Sequence, residues 1–335
     1  MKVKIISIMS LFAILAGCTG GKDSTISPPE TSRKNDATFK VALVTPSEVN
    51  DSGWSAIAYD GLMGIKEEFG AEVQNVVAST PQEIKDAYRS YAQMGFNLII
   101  GHGYEYNQHG IEIGKDFPKT VFISSSGDKT AANVGCFRFY LEQGMYVLGV
   151  VAGKMTKTNV VGMVGGPEVP SIQSTFDGFE AGVKSSNPNC RVLRAFTGSN
   201  DDVGKAKQQT LAMIDQKADF IIHQANAAAN GVFEACTERG VMAFGTNSDQ
   251  NSVAVNTILG SAVIVAKPAF KSLANEVLNG TYKGGVTLVG MESGAVKVEW
   301  NPALESKIPT DVKKLASESI TKILSGEIQV PMRKF

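Results

Sequence analysis

The chain has 335 residues, 32 Lys+Arg against 33 Asp+Glu for a formal charge of −1, four cysteines and three histidines. A near-neutral balance gives no reason to expect nucleic acid or an anionic membrane surface as partner. Sparse cysteines make no disulfide framework, and isolated His102, His109 and His223 without a His-Glu-x-x-His or Cys-x-x-Cys spacing offer no metal site, so no cofactor is expected.

The first segment reads as an export signal. Lys2 and Lys4 carry charge, Ile5–Leu15 is apolar, and Leu15-Ala16-Gly17-Cys18 closes it. The apolar run falls short of the roughly 18 residues that span a bilayer. Small residues before a cysteine resemble the bacterial lipobox. Residues 1–17 are therefore expected to be removed and Cys18 to carry lipid, palmitate included, on the outer face of the cell membrane. Residues 18–38 are poor in large apolar side chains and read as a flexible tether. Without Cys18, the remaining Cys136, Cys190 and Cys236 sit beside apolar residues and read as buried free thiols.

From residue 39 onward, short apolar segments alternate with helical patterns. Strands are predicted at Lys40–Val44, Val73–Ala78, Leu98–Gly101, Val121–Ser124, Val160–Val164, Val192–Phe196, Phe220–His223 and Met242–Gly245. After the first comes Asn50-Asp51-Ser52-Gly53-Trp54-Ser55, where Asp51 or Ser52 can cap a helix striped by Trp54, Ile57, Ala58, Gly61, Leu62 and Ile65. Trp54 either begins that core stripe or presents an aromatic face to a flat polar ring at a strand's carboxyl end. A second helix shows Thr80 as cap, Pro81 at its first position, Glu83 completing a capping box and Gly95 as stop. Its stripe is Ile84, Ala87, Tyr88, Tyr91 and Met94. Asn97-Leu-Ile-Ile100 and Asp219-Phe-Ile-Ile222 form a short internal echo. The expected class is α/β, two lobes of parallel sheet covered by helices.

Other candidate contacts follow strand ends: Tyr104 and Tyr106 after Gly101-His102-Gly103, Ser124 to Ser126, and Asn226. Arg138 either points into the cleft or pairs with a surface carboxylate. Enzyme motifs are incomplete. Gly149-Val-Val-Ala-Gly153-Lys154 is one spacer short of a P-loop, with Met155 where Ser or Thr belongs. Gly101-His102-Gly103 lacks a dinucleotide fingerprint's third glycine, and Ser124-Ser-Ser-Gly127 lacks the Gly-x-Ser-x-Gly elbow. The chain is read as no enzyme.

Several strings in order carry a family resemblance: Ala58-Tyr59-Asp60-Gly61-Leu62, Leu148-Gly-Val-Val-Ala-Gly153, Met155-Thr-Lys-Thr158 and Val160-Val-Gly-Met-Val-Gly-Gly166. Phe176-Asp-Gly-Phe-Glu-Ala-Gly-Val183, Asn187-Pro188, Asn230-Gly231 and Glu327-Ile-Gln-Val-Pro331 follow. The chain resembles the basic membrane protein family of bacterial lipoproteins, whose best-known type is a purine nucleoside receptor of an ABC importer. The resemblance covers residues 39–335. It implies a type I periplasmic-binding-protein fold, two Rossmann-like lobes joined by three crossings, with residues 39–138 and 252–283 as lobe 1 and 139–251 and 284–335 as lobe 2.

By the same resemblance, Trp54 matches a loop aromatic that stacks on the base, Asp51 the acidic residue before it, and Ser55 an adjacent polar one, with Asn50 in the same loop. Ser126 and Asn247 stand where nucleoside binders carry Asp, Asn200 where they carry a second stacking Phe, and Ile264 where they carry Lys, while Asp249 is kept. Losing these charges together predicts a neutral pocket. The resemblance implies a monomeric solute-binding protein that delivers a small neutral purine-like ligand, nucleobase or nucleoside, to an ABC permease. Riboflavin, another non-purine small molecule or a ligand-sensing role remains as the alternative.

Overall fold

The computed structural model describes residues 38–50 and 53–334. The expected signal, the Cys18 lipid site and the tether up to residue 37 lie outside them, as do Asp51 and Ser52. The chain opens with β1 (Lys40–Thr45), α1 (Trp54–Phe69), β2 (Glu72–Val77), α2 (Pro81–Gln93), β3 (Leu98–Gly101), α3 (Glu105–Gly114), β4 (Val121–Ser124) and β5 (Val134–Phe139). A second series follows: α4 (Glu142–Met155), β6 (Val160–Gly165), α5 (Pro170–Ser186), β7 (Arg191–Phe196), α6 (Val203–Asp215), β8 (Phe220–Gln224), α7 (Ala229–Arg239), β9 (Met242–Asn247) and β10 (Ile258–Ile264). The chain then runs through α8 (Ala266–Leu278), β11 (Val286–Val289), β12 (Val296–Trp300) and α9 (Thr310–Leu324).

The strands form two sheets of matching order, β11-β5-β4-β3-β1-β2 and β12-β10-β9-β8-β6-β7. Their apolar runs are buried on both faces, which is why they show little alternation. Each sheet contains the doubly wound order in which the first strand sits between the second and third, so each has a switch point at its carboxyl edge. The short sequence echo falls on β3 and β8, which hold equivalent places. The symmetry breaks at the rim: β11 runs parallel to β5, whereas β12 runs antiparallel to β10.

Every expected strand forms, but four more do too. β5 and β10 are interrupted by glycine, cysteine, arginine or serine; β11 is largely exposed; β12 alternates as a half-solvated edge. Missing them misplaced the lobe boundaries. β10 hydrogen-bonds into the second sheet although residues 252–283 were assigned to lobe 1, and β11 hydrogen-bonds into the first although residues 284–335 were assigned to lobe 2. The chain crosses between sheets after Phe139, after Ile264 and after Val289.

The α2 capping box forms as expected, with Thr80 Oγ1 accepting from Glu83 N and Glu83 accepting from Thr80 N. That helix buries Ile84, Tyr88 and Tyr91, while Met94 at its end is exposed. Helix α1 has Gly53 at its N-cap position, and the expected caps Asp51 and Ser52 lie outside the described residues. Cys136, Cys190 and Cys236 are buried free thiols, and burial raises Cys236 to about 12.

The glycines of the near P-loop string serve packing. Helix α4 is buried from Glu142 through Gly153 and lies against α5. A Cβ on Gly149 would sit 2.1 Å from Phe179 O, and one on Gly182 2.0 Å from Tyr146 O, so each helix approaches the other's backbone where only glycine fits. Gly149→Ala should lower stability by about 1–3 kcal/mol or more in urea unfolding. Gly204→Ala, where a Cβ meets only Asp202 Oδ1 at 3.7 Å, should be neutral or slightly stabilising.

Candidate ligand site

A cavity of about 570 Å³ opens between the carboxyl edges of the two sheets, a size that suits a small molecule. Its first wall comes from the segments after β1, β3 and β4, contributing Trp54, Tyr104, Glu105 and Ser126; the end of β5 adds Arg138 and Phe139. The facing wall comes from the segments after β6 to β9, with Asn200, Asp201, Asn226 and Asn247. Both switch points, between β1 and β3 and between β6 and β8, therefore face the same space.

Trp54 is half-buried and tied to His102 in both directions. The rings stack at 3.9 Å and 22°, the indole Nε1 donates to His102 O at 3.1 Å, and His102 Nε2 donates to Trp54 O at 2.9 Å. A carbonyl only accepts, so Nε2 carries the hydrogen; in the neutral ring Ser125 Oγ then donates to Nδ1 at 2.7 Å. Phe139 meets the indole edge-on at 6.5 Å. Trp54 thus serves both of its sequence readings: it packs on the core and lines the cavity. Its backbone N–H donates across the cleft to Asn226 Oδ1 in a long 3.4 Å bond.

Three lining residues pay for their positions in backbone strain. Ser126 has φ 151°, Asn226 44° and Asn247 68°, the region that favours glycine. Three of the five non-glycine residues with positive φ among the described residues thus line this cavity. Asn247 exchanges two hydrogen bonds with Gln224, 3.2 Å and 3.0 Å, so each amide keeps one donor and one acceptor direction for other partners.

The neutral pocket expected from the sequence is not what forms. Glu105, Arg138, Glu142 and Asp201 all line the cavity. Although Glu105 reaches solvent as a residue, lost hydration at its carboxyl raises its pKa. Arg138 pairs with Glu142, a buried carboxylate rather than the surface one considered, and Glu142 also accepts from Ser174 Oγ at 2.5 Å. Burial pushes Glu142 up against the pull of Arg138 and Ser174. Glu105 and Asp201 leave the wall acidic, a poor host for an anionic ligand.

Residues 38–334 match the family Bmp, "ABC transporter substrate-binding protein PnrA-like". The chain belongs to that family. It is 32% identical over 293 residues to a purine-binding protein of Brucella abortus, covering 87% of this chain and 82% of that one. It is also 27% identical over 321 residues to the transcriptional activator protein med of Bacillus subtilis, covering 94% and 96%. A solute-binding protein of an Aeropyrum pernix ABC transporter system shares the fold with a TM-score of 0.78 at 19% identity, covering 89% of this chain and 94% of that one.

Of the residues singled out in this substrate-binding protein's sequence, Trp54, Tyr104, Ser126, Asn200, Asn226 and Asn247 line the cavity. Asn50, Ser55 and Asp249 do not. Asn50 is exposed; Ser55, one step round α1 from Trp54, turns inward to bond Ser47 Oγ at 2.7 Å; Asp249 is exposed and accepts from Asn251 N. Tyr106 is core, donating to Ala78 O at 2.7 Å. His102, Glu105 and Glu142 were missed. The Gly101-His102-Gly103 string at a strand end was the available signal for the first two; nothing local marks Glu142 on a helix buried on all sides.

Beneath the second wall, His223 is buried with Nε2 on Gln250 Oε1 at 2.8 Å, and burial lowers its pKa to about 4. The unfolded chain binds this proton below about pH 6.5 and the folded one only below about 4, so stability rises with pH between these values. This group should contribute a loss of roughly 2–4 kcal/mol from pH 6.5 to 4. Urea unfolding across that range should show a shallower slope in His223→Gln.

Proposed function

We propose that this substrate-binding protein captures an uncharged purine-like ring, a free base or a nucleoside, between its lobes and delivers it to an ABC permease. The carrying observation is the Trp54 indole, backed on one side by His102 and opening onto a cavity edged by amides and hydroxyls. A ring stacked on the remaining indole face would gain about 1–3 kcal/mol from that contact. Ser126, Asn200, Asn226 and Asn247 would orient it by hydrogen bonds, and a wrong ligand would leave them unpaired. The acidic wall favours an uncharged ligand over a nucleotide. The name of the Brucella abortus relative supports the purine assignment.

In this reading Cys18 carries the lipid that holds the monomeric receptor at the outer face of the membrane, and Asp51 contacts the ligand from the loop before α1. The lobes would close about the crossings after Phe139, Ile264 and Val289. A sensing role is the second reading, favoured by the similarity over most of the chain to a protein named as a transcriptional activator. Recovery of a permease with the solubilised protein supports delivery; recovery of a regulatory protein instead supports sensing.

Calorimetric titration tests the binding claim. Trp54→Ala should weaken adenine, guanine or their nucleosides by more than tenfold with the fold retained. Unchanged affinity would return Trp54 to a purely structural role. Adenosine monophosphate should bind the wild type more weakly than adenosine.

A further inference from the structure

The buried ion pair at the first crossing has an unused half. Arg138 at the end of β5 donates through Nη2 to Glu142 Oε1 and to Ser174 Oγ at 2.9 Å, and through Nη1 to Arg333 O at 2.7 Å. Ser174 Oγ donates to Glu142 Oε1 at 2.5 Å and accepts from Arg333 N at 2.9 Å. Every one of these contacts to the carboxylate falls on Oε1. Oε2 is buried and has no hydrogen-bond partner among the described residues. Four other buried side-chain atoms share that condition, on His109, Ser124, Gln209 and Thr246, and none of those residues lines the cavity. Glu142 does.

A carboxylate oxygen cut off from water and left without a donor is costly, and the side chain is otherwise fully committed to Arg138 and Ser174. Glu142 lines the cavity, so a ligand enclosed there is positioned to supply the missing donor. We propose that Glu142 Oε2 accepts a hydrogen bond from an N–H of the bound ring, making Glu142 a specificity residue that selects ligands with a donor on the edge facing the first crossing. The inference rests on the reading that a purine-like ring occupies this cavity. It adds that the ring is recognised as a hydrogen-bond donor, which an aromatic stack cannot sense. Burial raises the Glu142 pKa and the paired Arg138 guanidinium opposes that shift; in the ion pair Oε2 is an acceptor.

Glu142→Gln sharpens the test. Arg138 and Ser174 both donate toward the Oε1 position, so the glutamine oxygen is held there and its NH2 is turned to the cavity. The acceptor becomes a donor. Calorimetry on the full-length protein would compare adenine with 9-methyladenine, N6,N6-dimethyladenine and the trimethylated base that has no N–H. The wild type should lose about tenfold or more in affinity for the donor-free base, and whichever single methylation reproduces the loss identifies the edge read. Glu142→Gln should abolish or invert that preference. Ser174→Ala, which leaves Oε2 in place, should keep it.

Equal binding of adenine and the donor-free base by the wild type would overturn the proposal without using any variant. So would full retention of the preference in a folded Glu142→Gln, or its loss in Ser174→Ala. These outcomes leave purine binding intact. Failure of the wild type to bind any purine, or binding indifferent to Trp54, would instead remove the underlying reading and the proposal with it.

Discussion

The two-way tie between Trp54 and His102 sets the geometry of the cleft's first wall. It joins the start of α1 to the end of β3, residues 48 apart in sequence, by a ring stack and two hydrogen bonds, with Ser125 fixing the imidazole from behind. The indole is therefore held before any ligand arrives, so little conformational entropy remains to be lost on binding. Removing His102 would open a hole under the indole and delete both hydrogen bonds of the tie that use its side chain, to Trp54 O and to Ser125 Oγ.

The opposite wall is built differently. It has amides rather than rings, two of them at positive φ, and the Gln224–Asn247 exchange holds one of these in place. A rigid apolar face against a polar face of fixed orientation separates binding area from directional recognition, the usual division in small-molecule sites. The chain's final crossing-side contacts add a third component. Tyr140 OH bonds Val330 O and Arg138 bonds Arg333 O, while Arg333 pairs with Asp177 on α5, so the segment after α9 is stitched over the junction where the first lobe passes into the second. Charge at that junction, the Arg138–Glu142 pair, is buried and paired.

Much of the fold was legible because buried parallel strands and a capping box have local signatures. The strands that escaped notice lacked them: β10 is broken by Gly260 and Ser261, and β12 alternates as a sheet edge. Since β10 and β11 fix which lobe each crossing serves, the boundary error followed from these two strands alone. In the site, residues at strand ends were found because topology places ligands there, and Trp54, Asn226 and Asn247 illustrate it. Asn50, Ser55 and Asp249 show the limit. Sequence adjacency to a site does not say which way a side chain turns, and one step along α1 sends Ser55 into the interior. Glu142 shows the converse, a polar residue in an apolar helix whose meaning depends on Arg138 and Ser174 from two other elements.

Native mass spectrometry of the full-length protein, as purified and after exposure to purine bases, nucleosides, nucleotides and riboflavin, tests the central claim most directly. The expected result is a one-to-one complex with an uncharged purine base or nucleoside that survives competition from the other compounds. A complex only with riboflavin or a nucleotide, or none with any purine, would contradict it.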